Sequence, residues 1–379
     1  MDVEHHLRGR RPTWVEIELS GLDSNLQWLR SLLARDTRIM AVVKANAYGH
    51  GAVEVAERLE KLGVEHLAVA FLEEGLELRN HGIRCPILLL NGFWPGQEHD
   101  IILNDLTPAV FDCRMVQDLA RVARRLGTTA TYQIKIDTGL VRLGAEWQSA
   151  VELVEACLKE AAAKCEGIYT HLSSSEQIDS SSTNLQVGHF QNIVGTLKLS
   201  RLALNWHHAA NSAAVLNFRC SWFDTVRPGL ILYGINPCEE MVGTPPLKPL
   251  LTFKTRIMQL KRVVTGSPIG YGGAYTVVRP SVIATLPVGY ADGLNRLLSN
   301  QGRALVRGHK VPIVGRISMD LSLIDVTTVP EASLGDEVVL IGKQGDFEIS
   351  VTQLARLTGT IPYEVLCNIS RRVPRVHIG

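Results

Sequence analysis

Apolar positions fall into short runs separated by helical patterns along the first two thirds of the chain. Runs near 39–43, 66–70, 86–90, 107–111, 131–136, 166–171, 203–208 and 224–227 read as strands. Between most of them, apolar residues recur at helical spacing, most clearly over Ala52–Leu62, Leu72–Asn80, Met115–Leu126, Ala150–Glu160 and Leu185–Leu197. Eight strands alternating with helices over roughly 200 residues predict a closed (β/α)8 TIM barrel. The competing arrangement, a doubly wound open sheet, normally starts on a glycine-rich turn and uses fewer strands. Ahead of the barrel, Trp14–Leu19 alternates as a short strand. Asp23 or Ser24 then caps a predicted helix running toward Ala34.

The period changes after Gly234. Pro237, Pro245, Pro246 and Pro249 mark a connection, and beyond it the alternation is twofold. Short runs at 251–264, 282–288, 303–306, 311–314, 321–326 and 336–341 read as strands, and only Val351–Leu357 and Tyr363–Ile369 as helices. The expected organisation is a polar tail at 1–12, a barrel domain at 13–240 and a mainly β domain at 241–379. A length of 379 residues suits two domains.

The formal net charge of +1 offers no field for nucleic acid or a membrane surface. The Arg8–Arg11 cluster reads as a loose solvated tail. Seven scattered cysteines lack metal-ligand spacing, so no metal is expected, and reduced thiols in a cytoplasmic protein fit best. The first thirty residues carry charges throughout, and no spanning helix is predicted.

Against that background, Lys44 stands out. It ends the apolar run Ile39–Val43, at the strand end where a parallel barrel places its chemistry, and small residues and glycines follow it up to Gly51. A desolvated lysine there can form a Schiff base with a carbonyl, including that of pyridoxal 5'-phosphate (PLP); a surface lysine is the plainer reading. Further along, Lys135 and Asp137 share a strand face ahead of Arg142, either as an interior ion pair or as part of a carboxylate-gripping rim. His171 ends the sixth strand. Asn211 and Ser212 fall where a helix should begin, with Ser212 either its cap or a phosphate ligand. Arg227 ends the eighth strand, with an ion pair to Asp224 as the simple alternative. In the β domain, Tyr290 precedes an Asp-Gly turn.

The segment Ala41–Gly51 resembles the cofactor-lysine motif of the alanine racemase family. So do Asp137-Thr-Gly-Leu-Val-Arg-Leu-Gly144, Tyr169-Thr-His171, Ser212, Arg227-Pro-Gly-Leu230, Leu286–Gly293, Gly315–Asp320 and Pro362-Tyr-Glu364, in family order from Trp14 to Val376. The resemblance implies PLP carried on Lys44, with Tyr48, Ser212, Gly229, Leu230 and Tyr363 around its phosphate, and Asn211 is a further cofactor-binding candidate. It implies Arg227 beside the ring nitrogen and His171 beside the ring, with Arg142, Met319 and Asp320 at the substrate. Lys135 matches a lysine that is often carbamylated, and Tyr271 and Tyr275 line the entrance. The bulkier Val141 is expected to narrow the loop before Arg142.

The implied activity is interconversion of L- and D-alanine by two bases, Lys44 and Tyr290, supplying D-alanine for peptidoglycan. A head-to-tail homodimer would let Tyr290 and Met319 complete the partner's site. The rival readings are a racemase of another small amino acid such as serine, and a PLP-dependent decarboxylase of the same fold. The latter should carry an acidic group where Arg227 stands.

Overall fold

A computed structural model describes residues 8–178, 180–200, 202, 204–238 and 245–379. Residues 1–7 of the expected tail, position 203 at the head of the run 203–208, and the expected domain boundary at 240/241 lie outside them.

The eight apolar runs form a closed parallel barrel. Its strands are Arg38–Val42, His66–Val69, Ile87–Leu89, Leu106–Val110, Ala130–Asp137, Ala163–Tyr169, Trp206–His208 and Thr225–Val226. Each pairs with the next, and Thr225–Val226 pairs back onto Arg38–Val42 to close the ring. Residues such as Ala41, Leu67, Leu88, Ala109 and Ile134 are wholly buried, as expected for strands covered on both faces. The amphipathic helices cover the outside. In Cys113–Leu126, for example, Val116, Leu119, Ala120 and Ala123 face inward, Asp112 caps the start through the Arg114 amide, and Gly127 ends the helix with φ +67°.

Apart from Ala145–Glu146, which pairs onto the barrel strand Ala130–Asp137, the remaining strands form a mainly β unit. Its largest sheet runs in the order His309–Pro312, Arg303–Val306, Glu337–Gln344, Leu251–Arg256, Thr13–Glu18 and Arg375–Ile378, with Phe347–Ile349 added on Glu337–Gln344. The strand Thr13–Glu18 therefore belongs to this sheet, antiparallel to Leu251–Arg256 and parallel to Arg375–Ile378. It passes directly into the helix Leu19–Leu32, which starts four residues ahead of Asp23. Asp23 instead pairs with Arg58 on the helix Ala52–Lys61. The run 251–264 splits at Ile257–Met258. Leu251–Arg256 stays in the large sheet, while Gln259–Val263 joins Ser281–Leu286 and Ser322–Asp325 in a three-stranded one. Twofold alternation cannot reveal such a change, because it reports burial of a face and not the neighbouring strand.

One continuous apolar core runs through both units, from Val15 through the barrel to Val373. The described residues include no helix long and apolar enough to cross a membrane.

Candidate active site

After Val43 the chain turns the wrong way. Ala45, Asn46, Ala47 and Tyr48 all have φ between +52° and +55°, one turn of left-handed helix beginning directly after Lys44. L-residues pay roughly 1–2 kcal/mol each for that conformation, so the surroundings must impose it. The Glu74 carboxylate accepts from the Ala45 amide at 2.6 Å, and Asn46 Oδ1 accepts from the Ala52 amide at 2.8 Å. The β unit supplies the rest. Arg375 Nε donates to the Gly49 carbonyl at 3.0 Å, and His377 Nε2 meets the His50 carbonyl at 2.8 Å. His50 itself is buried and stacks on Tyr233, with ring centroids 4.6 Å apart. Its pKa is pushed down to about 4 by burial. Gly49 has φ +83°, and an added Cβ would sit 2.6 Å from the Leu366 carbonyl oxygen. Gly49→Ala should therefore destabilise the protein by roughly 1–3 kcal/mol in urea unfolding.

The turn aims Lys44 into a cavity of about 280 Å³ at the carboxyl ends of the barrel strands, close to the lower size for small-molecule sites. Tyr48, Lys135, Arg142, His171, Asn211, Ser212, Arg227, Gly229 and Tyr363 also line it. Leu230 is fully buried beneath and does not line it. Asn211, not Ser212, caps the helix Ser212–Asn217, through the Ala214 amide. The Ser212 hydroxyl accepts from the Gly229 amide at 2.8 Å. Gly229 is tied to Tyr48 as well, because an added Cβ would lie 2.5 Å from the Tyr48 hydroxyl.

Tyr290, Met319, Asp320, Tyr271 and Tyr275 do not line this cavity in the single chain. Tyr290 and Met319 sit together on the β unit, 42% and 53% exposed, with the Tyr290 amide bonded to the Ser318 carbonyl.

Arg227 is buried, and each of its partners is neutral. Its guanidinium donates to the Thr170 carbonyl at 2.7 Å, to the Ala209 carbonyl at 3.0 Å and to His208 Nδ1 at 2.6 Å, and it lies 3.4 Å from His171 Nδ1. Because a guanidinium only donates, His208 Nδ1 must be the acceptor; its Nε2–H then donates to Gln133 Oε1 at 2.7 Å. Burial, with Arg227 and Arg142 nearby, holds His171 far below the usual imidazole range. Asp224 pairs with Arg38 and His207, which rules out the Arg227–Asp224 ion pair.

Lys135 makes no ion pair among the described residues. Its amine reaches only the Leu90 carbonyl, at 3.4 Å, and lies 5.6 Å from the Tyr169 ring centre. Asp137 serves the loop instead, accepting from the Gly139, Leu140 and Arg142 amides. Burial first, then Arg142, Arg227 and Lys44, lower the Lys135 pKa to about 8. The Lys44 amine is lowered chiefly by burial and then by Arg142, with Glu74 opposing. Val141 does not narrow the site. It points outward, 89% exposed, in a left-handed conformation with φ +55°.

Three further residues contribute to the site without having been assigned a role in it from sequence. Tyr169 stacks on His208 with an interplanar angle of 7°, and its hydroxyl donates to the Leu90 carbonyl. His208 faces inward while its neighbour His207 faces Asp224. Glu176, on the polar loop after the sixth strand, lines the mouth. Strand alternation could have picked one histidine as inward, though not which one.

Four basic side chains, Lys44, Lys135, Arg142 and Arg227, thus converge on one mouth with Glu176 as its only carboxylate among the lining residues. An anionic ligand with a carbonyl, such as PLP, fits that donor set. A parallel barrel with a lysine presented in this way, fused to a mainly β unit, defines the class: a two-unit barrel enzyme with a cation-lined site at the barrel mouth. Family models for the alanine racemase N-terminal and C-terminal domains match residues 17–237 and 250–377. An alanine racemase of Halothermothrix orenii is 45% identical over 365 residues, 96% of each chain. The Clostridium difficile 630 alanine racemase structure superposes with a TM-score of 0.92 at 37% identity, over 97% of this chain and 96% of that one. That of Bartonella henselae, with covalently bound pyridoxal phosphate, gives 0.85 at 31% identity over 97% and 99%. The chain belongs to the alanine racemase family.

Proposed function

We propose that this chain interconverts L- and D-alanine, using PLP held on Lys44. The observation that carries the reading is the lowered-pKa amine of Lys44, turned into a cation-lined cavity whose innermost arginine has only neutral partners. When bound, PLP supplies the electron sink that makes the alanine Cα–H acidic. Tyr48, Tyr363, Ser212 and the backbone at Gly229 would hold its phosphate. Arg227 would be the partner of its ring nitrogen. A guanidinium that only donates would leave that nitrogen unprotonated, limiting the sink and so limiting side reactions. Arg142 orients the substrate carboxylate. Lys44, as its neutral amine, takes the proton from D-alanine, and Tyr290, as its phenolate, takes it from L-alanine on the opposite face.

Tyr290 is exposed beside Met319 and lies outside its own chain's cavity, which supports a homodimer in which each chain completes the partner's site. A cytoplasmic location and a role in D-alanine supply for peptidoglycan follow from the same reading. A decarboxylase would want a carboxylate at the ring nitrogen, and Arg227 argues against it. Incubation with L-alanine in heavy water tests the proposal. Racemisation gives deuterium at Cα with loss of optical rotation; carbon dioxide release, or unchanged L-alanine, would overturn it. L-serine assayed alongside reports substrate breadth.

Lys135 is read as the site of a carbamate. An amine with pKa about 8 keeps a reactive neutral fraction at neutral pH, and carbamylation would convert a cation among Lys44, Arg142 and Arg227 into their anion. With carbon-13 bicarbonate, a carbamate carbonyl signal should appear, strengthen as pH rises through 8, and be missing in Lys135→Ala. An identical signal in that variant would rule this out.

A further inference from the structure

Asp292 is completely buried two residues beyond Tyr290, yet it is ionised in a heavily satisfied site. Arg11 grips it with two hydrogen bonds, at 2.8 and 2.6 Å. Arg372 grips it from another direction at 2.6 and 3.3 Å. The Gly289 amide donates a further bond at 2.9 Å, closing the short turn Tyr290–Asp292. Arg372 also reaches Asp320 at 2.5 Å, so a single guanidinium joins the turn carrying Tyr290 to the turn carrying Met319. The two turns are already in contact. The Tyr290 and Ala291 amides donate to the Ser318 and Met319 carbonyls at 3.0 and 3.1 Å, and Gly289 packs so closely that a Cβ would collide with those same oxygens. Burial alone would raise the Asp292 pKa, but the two arginines and the amide hold it below the usual carboxylate range.

The two arginines come from opposite parts of the chain, just before the first strand and just before the last. Arg11 also donates to the Pro287 carbonyl at 3.1 Å, and Thr13 to the same oxygen at 2.8 Å, so Arg11 is no part of a loose tail. We propose that Arg11 and Arg372 are positioning residues that clamp the Tyr290 turn through Asp292 and, through Asp320, set it against Met319. The inference rests on the reading of Tyr290 as the base for L-alanine. It also recasts Asp320. With its carboxylate engaged by Arg372, Asp320 anchors the turn that carries Met319.

The holoenzyme with Arg372→Ala tests this in heavy water. A loosened Tyr290 turn misplaces one base and leaves Lys44 untouched. Racemisation should fall by roughly 10²-fold, the loss expected of about an ångström of misplacement. D-alanine should meanwhile continue to exchange its α-hydrogen for deuterium with retained configuration, so the ratio of exchange to inversion rises. PLP absorbance should be unchanged, and Arg372→Lys should restore part of the inversion. Arg11→Ala, which leaves the Asp320 link intact, should show the same signature more weakly and carries the test if Arg372→Ala does not fold. An exchange-to-inversion ratio equal to wild type in whichever variants fold would overturn the clamp, even where overall activity drops. Tyr290→Phe is the control. If it exchanges without inverting while the arginine variants do not, only the clamp fails. If it inverts normally, the base assignment fails and takes the clamp with it.

Discussion

With Lys44 replaced by alanine, L-alanine should keep its optical rotation and the protein should be colourless after desalting. The expected loss exceeds about 10³-fold, because one substitution removes both the covalent anchor for PLP and a proton-transfer group, each large alone. The surroundings cannot compensate. Lys135 also lines the cavity, but it belongs to a separate strand and reaches the Leu90 carbonyl. Nor should the change unfold the chain, since Lys44 is only half-buried and makes no ion pair among the described residues. Far-ultraviolet circular dichroism and urea midpoint should therefore stay near wild type while turnover disappears. A coloured, active Lys44→Ala protein would remove the proposed chemistry altogether.

A mixture of two dead variants should be alive. Tyr290→Phe is expected to lose about 10²- to 10⁴-fold of racemisation, the usual contribution of a positioned acid–base group. If each site combines Lys44 of one chain with Tyr290 of the other, a mixed dimer of Lys44→Ala and Tyr290→Phe chains holds one doubly altered site and one intact site. Dissociating and reassociating the variants at equal concentration should then recover about a quarter of wild-type activity, since half the dimers are mixed and half their sites intact. Sites built within single chains would recover nothing, because every site would lack one base. The physical ground for expecting recovery is the separation seen within one chain. Lys44 points into the barrel mouth, while Tyr290 stands exposed on the β unit outside that cavity.

The barrel was legible because burial on both strand faces writes itself into sequence as short apolar runs with amphipathic helices between them. The lysine was legible for the complementary reason, as a lone charge at the end of such a run. The line of residues from Tyr48 to Tyr363 could be assembled only because several dispersed motifs resemble one family. Contacts between distant segments were not legible. Nothing local assigns Thr13–Glu18 to a sheet built some 240 residues later, or splits the run 251–264 between two sheets. Local composition marked Arg11 as tail, whereas its hydrogen bonds lie with Asp292, 281 residues away. The bulk of Val141 suggested a narrowed loop, but its left-handed backbone turns it to solvent.

The order of residues alone thus determined the architecture and much of the site's inventory: a barrel followed by a β unit, an amine at one strand end and an arginine at another. Tertiary structure alone decided how those groups are held. It wound four L-residues after Lys44 into a left-handed turn braced by Arg375 and His377, gave Arg227 two imidazoles in place of a carboxylate, and closed two arginines on Asp292. The reason is that periodicity and propensity act over a few neighbouring residues, whereas strain, desolvation and ion pairing are settled by whatever the folded chain brings alongside.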